Sequence, residues 1–206
     1  MLQKDIKQVI ISLISELDFY FVENGFLRRS NSLTYIRKLD GVTQKVEIVF
    51  FSNPSYHPGA LAHIYPHMQI YIPSVNGITK EYASHLIPSK WLDQFTIRQP
   101  IQIYSNSGDF YLLDVNDYES LKNQLLDFFK VYAMPLFNDL TSEKDYLLFY
   151  EIKDKRIIWD DNQYLYIAAA YLNEHELIKP IEVIENRFGK KGLRKKYNEV
   201  FEYFEF

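Results

Sequence analysis

The pair Asp40-Gly41 lies between two runs of apolar residues, and it constrains the fold of this chain more than any other feature. Asp-Gly is a strong signal for a tight turn that joins two antiparallel strands. Before it, apolar residues recur at helical spacing over 6–22, and Gly25 is placed to end that helix. After it, residues 42–51 carry apolar side chains at the two-residue period of a strand. The chain is therefore predicted to open with one helix followed by a strand hairpin.

The first half of the chain predicts about five strands, at 26–38, 42–51, 64–72, 95–104 and 110–115. The composition of 52–63 indicates a loop, and the stretch from Pro73 to Gly77 indicates a turn. Thr79 is placed to cap a short helix that runs to about Leu86. The last two strands are expected to be joined around Asn106-Ser107-Gly108.

From Asn116 onward the apolar spacing becomes helical, which predicts four or five helices. Asn116 and Glu119 have the spacing of a capping box, and Pro135 is expected to break or kink the first helix. Further helices are predicted to start at Ser142, at Asp160 or Asp161, and at His175 or nearer Lys179, where Pro180 fits the first turn. Gly189 is expected to end the helix that contains Pro180, and 192–206 is a last amphipathic stretch.

Strands grouped together and then helices grouped together are the pattern of an α+β architecture. The sequence therefore predicts a single α+β domain over 1–206. Within it, 1–115 holds the N-terminal helix and an antiparallel sheet of about five strands, and 116–206 is the helical part. Strands and helices do not alternate, so a doubly wound parallel sheet is not expected.

Composition and charge exclude several classes of protein. The formal net charge is −4 and the pI is about 5.8, which disfavours a nucleic-acid binder because such proteins usually need a strongly basic face. Cysteine is absent, which excludes disulfides, thiolate metal sites and cysteine nucleophiles. No run approaches the roughly 20 apolar residues of a membrane helix, and the mixed charges of residues 1–5 do not resemble a signal peptide. The sequence thus predicts a cytoplasmic protein that does not associate with membranes.

Three histidines, His57, His63 and His67, lie within eleven residues of one another. His63 and His67 would share one side of a helix, but Pro66 and the alternation after it favour a strand. Four residues of a strand span about 13 Å, which is too far for two imidazoles to hold one metal ion at about 2 Å each. The favoured interpretation is therefore that they line a polar sheet face or loop. Metal binding or acid–base catalysis by these histidines is the alternative.

Two charged segments need an interpretation. Asp160-Asp161, with Glu151 and Asp154, flanks Trp159, and helix capping is favoured over cation binding. The sharpest charge feature is a basic run of six residues, Arg187, Lys190, Lys191, Arg194, Lys195 and Lys196. It is a candidate interaction surface that could contact phosphates. Nearby glutamates reduce its field, so a solvated surface is favoured.

The usual signatures of catalytic and cofactor sites are missing. The chain has no Gly-x-Ser-x-Gly elbow, no Gly-rich phosphate loop, no His-Glu-x-x-His and no calcium-loop pattern. The sequence therefore assigns no catalytic residue and no cofactor, and it disfavours an enzymatic function.

Three short stretches carry a resemblance to a known family: Gly25-Phe26-Leu27-Arg28-Arg29, Leu33-Thr34-Tyr35-Ile36-Arg37 and Asp40-Gly41-Val42-Thr43-Gln44. In this order they resemble the opening of the bacterial domain of unknown function numbered 4304. Tyr118 to Leu140, with Met134-Pro135-Leu136-Phe137, is similar to a later helix of that family, and Lys45-Val46-Glu47 departs from its second strand. The resemblance covers about 1–150. It implies no catalytic residues, and some similar proteins look like immunity proteins that neutralise a toxin.

Three hypotheses of function follow. The first is a non-enzymatic protein-binding module, such as a toxin-neutralising immunity protein whose acidic and aromatic surface blocks a basic toxin. The second is a small-ligand or metal-dependent enzyme that uses His57, His63 or His67. The third is nucleic-acid binding through the basic run at 187–196.

Overall fold

The computed structural model of the protein describes residues 3–101 and 110–204 and confirms the predicted α+β class. Six strands form one antiparallel sheet in the order β1-β2-β3-β4-β5, and β6 pairs with β4. The strands are β1 (Leu27–Arg28), β2 (Thr34–Leu39), β3 (Val42–Ser52), β4 (Ala62–Tyr71), β5 (Ile97–Pro100) and β6 (Phe110–Leu112). The predicted turn at Asn106-Ser107-Gly108 lies outside the described residues.

The helices lie before, between and after the strands. Those before β6 are α1 (Gln3–Ser15), α2 (Asp18–Glu23), α3 (Pro73–Ala83) and α4 (Ser89–Leu92). Those after β6 are α5 (Tyr118–Phe128), α6 (Met134–Asp139), α7 (Glu143–Glu151), α8 (Asp161–Asn173), α9 (Lys179–Phe188), α10 (Lys191–Lys196) and α11 (Asn198–Tyr203). A 3₁₀ turn, Val115–Asp117, precedes α5, and a π-helical turn, Phe129–Ala133, separates α5 from α6.

The chain forms two compact units. The first comprises Met1–Leu39, Thr43–Gln69 and Arg98–Asp139, and the second comprises Asp40–Val42, Ile70–Ile97 and Leu140–Phe206. Both are assembled from segments that are far apart in the sequence. That the whole chain is a single domain stays a prediction.

The opening of the chain follows the predicted order, with one difference. The expected single helix over 6–22 is two helices, because the chain turns at Leu17, whose backbone N–H donates to the carbonyl of Ile14 at 2.9 Å. The turn leaves Leu17 and Phe21 both buried. Gly25 follows the last helical turn with φ +79°, a left-handed conformation that glycine adopts without strain, as predicted.

Strand alternation divides the sheet into a buried side and a partly exposed side. Along β3, Gln44, Val46 and Ile48 are buried, whereas the residues between them are half-exposed. β4 repeats the pattern from Ile64 to Ile70. Because side chains of a strand point alternately to opposite faces, one face of the sheet forms the core of the first unit.

Tyr35 of β2 fixes the first two helices to the buried side of the sheet. Its ring stacks on Phe21 with centroids 3.8 Å apart, and its hydroxyl lies 2.6 Å from Asp18 Oδ1. Arg28 donates to both carboxylate oxygens of Asp18, from Nε at 2.8 Å and from Nη2 at 2.7 Å. The Arg28 side chain is only 4% exposed and forms a bidentate ion pair with Asp18. This pair is a structural contact, and Arg28 is therefore not a free cation.

The stretch expected to turn the chain at Pro73–Gly77 is instead the start of α3, and this prediction was wrong. Pro73 occupies the first turn of the helix, where backbone N–H groups have no partner within the helix. The missing N–H of Pro73 therefore costs no helical hydrogen bond. Thr79 does not cap a helix but lies inside α3, where its hydroxyl donates to the carbonyl of Val75 at 2.8 Å.

Helix starts in the second half are partly as predicted. Ser142 caps α7 by accepting from the Asp145 N–H, Asp160 caps α8, and Pro180 lies in the first turn of α9. Asn116 does not cap α5, because the 3₁₀ turn intervenes and its N–H donates to Asp114 Oδ1 at 2.8 Å. Pro135 does interrupt the helix, which passes through the π-helical turn just before it.

The second unit is built around α8, which packs against α3 and α9 and is buried along most of its length. A buried polar side chain, Gln163, joins two parts of this core. Its amide donates to the carbonyl of Thr96 at 2.9 Å, and its oxygen accepts from the Tyr146 hydroxyl at 2.7 Å. Both ends of the amide are therefore satisfied, as a buried polar group requires.

We expect Asp18→Asn to lower the free energy of unfolding by about 1–2 kcal/mol at pH 7, because it weakens hydrogen bonds to a charged group that is partly screened by solvent. Burial alone would raise the pKa of Asp18, but hydrogen bonds from Arg28 and Tyr35 lower it below the ordinary value. The stabilisation is therefore present above the pKa of an unfolded aspartate, about 3.9, and is lost as the pH falls below it.

Urea denaturation at pH 7 and pH 3 measures this difference, and Asp127→Asn, at an exposed carboxylate, is the matched control. Equal stability of the Asp18 variant and the wild type at pH 7 would contradict the assignment.

Candidate binding face of the sheet

The side of the sheet opposite the core is a candidate binding surface, which we call the open face. It belongs to the first unit and carries alternate residues of neighbouring strands, including Leu27, Ile36, Lys38, Lys45, Glu47, Val49, Phe51, His63, Tyr65, His67, Arg98 and Tyr111. Large apolar side chains are exposed there: Leu27 by 67%, Ile36 by 37% and Phe51 by 50%. Leu27 and Ile36 adjoin each other across β1 and β2, and adjoining apolar groups on a surface mark interaction sites more often than isolated ones do.

A groove with a volume of about 710 Å³ lies over β1 and β2 at one edge of the open face. Leu27 and Ile36, which are register partners across the two strands, supply its apolar lining. Arg29 and Lys38 supply its available cations, since the guanidinium of Arg28 is committed to Asp18. The groove thus combines aliphatic surface with positive charge.

The open face is more basic than the protein as a whole. Its described cations are Arg29, Lys38, Lys45 and Arg98. Glu47 is the carboxylate on the same side of β3, and it accepts hydrogen bonds from Gln69 at 2.7 Å and Arg98 at 3.1 Å. Since the whole chain carries −4, the acidic charge is concentrated away from the strands of this face.

At the other end of the open face, Tyr111 brings two of the predicted histidines together. Its ring stacks on His57 with centroids 4.1 Å apart and on His63 at 4.5 Å, each at an angle of 27°. The pairing of His63 with Tyr111 between β4 and β6 sets this geometry. The exposed Tyr56 adds a hydrogen bond of 2.7 Å between its hydroxyl and His63 Nδ1.

His67 is not part of that stack. It lies four residues along β4 from His63, and Tyr65 stands between them, edge-on to His63 at 5.6 Å and to His67 at 5.3 Å. This is the strand arrangement that the sequence favoured. Burial lowers the pKa of His67, and Arg98 lowers it further against the opposing effect of Glu47.

Among the described residues, the histidines belong to no cluster of three or more metal-ligating side chains. Over 3–101 and 110–204 no group of three or more His, Asp or Glu residues is placed to hold a metal ion. The Nδ1 atoms of His57 and His67 are buried and have no hydrogen-bond partner within these ranges. What the arrangement offers is a set of stacked rings with polar edges, which suits contact with another surface.

The basic run of the second unit is partly neutralised. Arg187 donates to Asp161 at 2.7 Å, and Arg194 pairs with Glu185 at 3.1 Å. The lysines of the run, Lys190, Lys191, Lys195 and Lys196, are exposed. Its two arginines, which are the better phosphate ligands, are thus already bound to carboxylates of their own unit.

The acidic residues around Trp159 also serve their own unit. Asp160 caps α8, Asp154 pairs with Arg156 at 2.9 Å and Glu151 pairs with Lys179 at 3.2 Å. The capping interpretation of Asp160 is confirmed.

The sequence did not predict the open face as a site. The signal was present in β2, where Thr34, Ile36 and Lys38 alternate with the buried Tyr35. Ile36 is apolar on the side that the alternation assigns to solvent, and such a residue is informative when its neighbours across the sheet are apolar too.

None of the helices in the described ranges is both long enough and apolar enough to cross a membrane.

We expect His67→Gln to flatten the dependence of stability on pH below about pH 6.5. A lowered pKa means that the folded state favours the neutral imidazole, so its contribution is present above the unfolded pKa and is lost as the pH falls. The free energy of unfolding at pH 7.5 and pH 5.5 measures the effect, with the exposed His175→Gln as control. An unchanged pH dependence in His67→Gln would contradict the assignment.

Comparison of the chain with protein-family models, with curated proteins and with solved structures finds no match. Membership of the family numbered 4304 therefore stays a prediction based on the short stretches quoted above.

Proposed function

We propose that the protein is a non-enzymatic protein-binding module and that its partner docks on the open face. The observation that carries this proposal is the exposure of Leu27, Ile36 and Phe51 on one side of one sheet. Protein interfaces combine an apolar centre with arginine and aromatic side chains at positions that dominate the binding energy. The open face offers all three kinds of group.

The charges of the open face specify the chemistry of the partner. Lys38 and Arg29 border the groove, and Lys45 lies on β3, whereas Arg98 on β5 is paired with Glu47. A partner that fits carries carboxylates around an apolar contact surface, because complementary charges steer association and fix orientation. This differs from the expectation that an acidic surface of this chain meets a basic toxin, since the exposed apolar groups lie among cations.

A protein fits this face better than a nucleic acid does. Leu27, Ile36 and Val49 are aliphatic, and aliphatic side chains pack on other apolar side chains but give no stacking platform for bases. The aromatic rings at the far end are engaged with one another, with Tyr111 stacked on both His57 and His63. Nucleic-acid binding is therefore the alternative result that the oligonucleotide titration described below would detect.

Toxin neutralisation is the form of this function that the family resemblance suggests. An immunity protein acts by occupying a surface of its toxin, which requires a stable docking face and no catalytic group. The cation-bordered apolar groove supports such a role, and the toxin surface that it would cover is acidic and apolar. A toxin encoded beside this chain is the partner to examine first.

We expect Ile36→Glu to weaken binding of that toxin at least tenfold, because it places a carboxylate in the apolar lining of the groove and removes an apolar contact. Leu177→Glu is the matched control, since Leu177 is an even more exposed aliphatic residue, at 75%, in the second unit. Isothermal titration calorimetry with purified toxin, and survival of cells that co-express toxin and variant, measure the effect. Thermal unfolding of both variants checks that they are folded.

The proposal fails if Ile36→Glu binds as the wild type does, or if Leu177→Glu is the variant that loses binding. A single-stranded oligonucleotide is titrated in parallel at low and high salt. Binding that depends steeply on salt and is lost in Ile36→Glu would assign the open face to nucleic acid instead.

A further inference from the structure

A lysine ammonium lies in a corner of two tyrosine rings in the second unit. Lys153 follows the end of α7, and its Nζ is 3.2 Å from the centroid of the Tyr150 ring and 5.5 Å from that of Tyr164. The two rings are perpendicular, at 89°, with centroids 5.8 Å apart. The ammonium therefore faces two π surfaces at once, which is the geometry of cation recognition by aromatic side chains.

The walls of this corner are held in place by their neighbours. Trp159 stands edge-on to Tyr150, at 5.5 Å and 75°, and is itself fixed by a hydrogen bond of 3.0 Å from its indole N–H to the carbonyl of Asp154. Tyr171 stands at 78° to Tyr150, and its hydroxyl donates to Glu151 at 3.1 Å. Rings that are fixed before a ligand arrives lose little freedom on binding it.

Lys153 differs from the other cations of this cluster. Arg187 packs on Tyr164 at 4.7 Å but also binds Asp161, and Lys179 packs on Tyr171 at 4.9 Å but also binds Glu151. Within the part of the chain that the structure describes, Lys153 forms no ion pair with a carboxylate. Its ammonium is held by ring faces alone, and partial burial of that group lowers its pKa, although the residue as a whole is exposed.

The backbone of Lys153 is also unusual. Its φ of +51° lies in the left-handed region, which non-glycine residues seldom adopt, and the residue is exposed.

A primary ammonium is strongly hydrated, so its transfer from the ring corner to water recovers hydration. An alkylated ammonium has less hydration to lose and favours the ring faces.

We propose that the corner formed by Tyr150 and Tyr164 is a binding site for methylated alkylammonium groups, and that Lys153 occupies it as an internal competitor. The ligand displaces the lysine side chain into solvent and places its methyl groups against the two rings. The chemistry is shared by a trimethylated lysine side chain and by a choline headgroup. This site lies in the second unit and is independent of the function proposed for the open face.

The test is a titration of the full chain with N-acetyl-trimethyllysine amide and, separately, with choline, followed by the NMR signals of the ligand methyl groups. Methyl protons that lie over ring faces shift upfield. Removing the competitor with Lys153→Ala should tighten binding about two- to fivefold, as expected for the loss of one exposed cation–π contact. Lys155→Ala, at an exposed lysine two residues away, should bind as the wild type does.

Two further arms separate cation recognition from a general apolar crevice. The neutral isostere 3,3-dimethylbutanol, which has the shape of choline without its charge, should bind at least tenfold more weakly to Lys153→Ala than choline does. Tyr150→Leu and Tyr164→Leu, each combined with Lys153→Ala, should weaken binding of both ligands and reduce the upfield shift. Each Leu variant removes one ring and keeps an apolar side chain, and thermal unfolding checks both.

The proposal is overturned if Lys153→Ala binds neither ligand more tightly than the wild type and Lys155→Ala do. It is also overturned if choline and its neutral isostere bind equally, an outcome that does not depend on the Leu variants being folded. A preference for trimethyllysine over choline supports the site and identifies a modified protein as its ligand. The opposite preference supports it and identifies a choline headgroup.

Discussion

The stack of Phe21 on Tyr35 decides which side of the sheet is buried. With the two ring centroids 3.8 Å apart and the Tyr35 hydroxyl beside Asp18, the side chain of Tyr35 has to point to the helices. Because side chains of a strand alternate, the same choice turns Ile36 and Lys38 to the opposite side. A slip of β2 by one residue would bury a lysine and expose a tyrosine whose hydroxyl lies within hydrogen-bond distance of Asp18 Oδ1 and of the carbonyl of Ile14. The exposed groove is thus a consequence of a contact in the core.

Much of the first unit was predictable because its local and tertiary preferences agree. β3 keeps apolar side chains on one face over most of its length, Asp40-Gly41 supplies the turn before it, and Gly25 ends the second helix in the conformation that glycine adopts best. The start of α3 shows the opposite case. Pro73 and Gly77 are typical of a turn, but packing of α3 on α8 stabilises a helix that propensity alone would not predict.

The candidate sites were harder to predict because each is assembled from distant segments. The strand interpretation placed His63 and His67 correctly, yet nothing in the sequence pairs β4 with β6 and so brings Tyr111 between His57 and His63. Lys153 meets Tyr164 only because α7 and α8 pack together. The basic run was the sharpest charge feature of the sequence, but charge along a chain does not reveal that Arg187 and Arg194 are already paired.

The π-helical turn Phe129–Ala133 has a consequence for the length of this segment. A continuous α-helix from Leu121 would carry its inward positions through Leu125 and Phe128 to Tyr132, whereas the wider turn moves them by one residue to Ala133 and Phe137. Phe137 packs against Phe26 at 5.3 Å, and its carbonyl accepts from the buried Gln44. Loss of one residue here would let the segment continue as an α-helix, and Phe137 would keep its inward position. A related chain that lacks one residue between α5 and α6 can therefore keep this core with a continuous α-helix in place of the π turn.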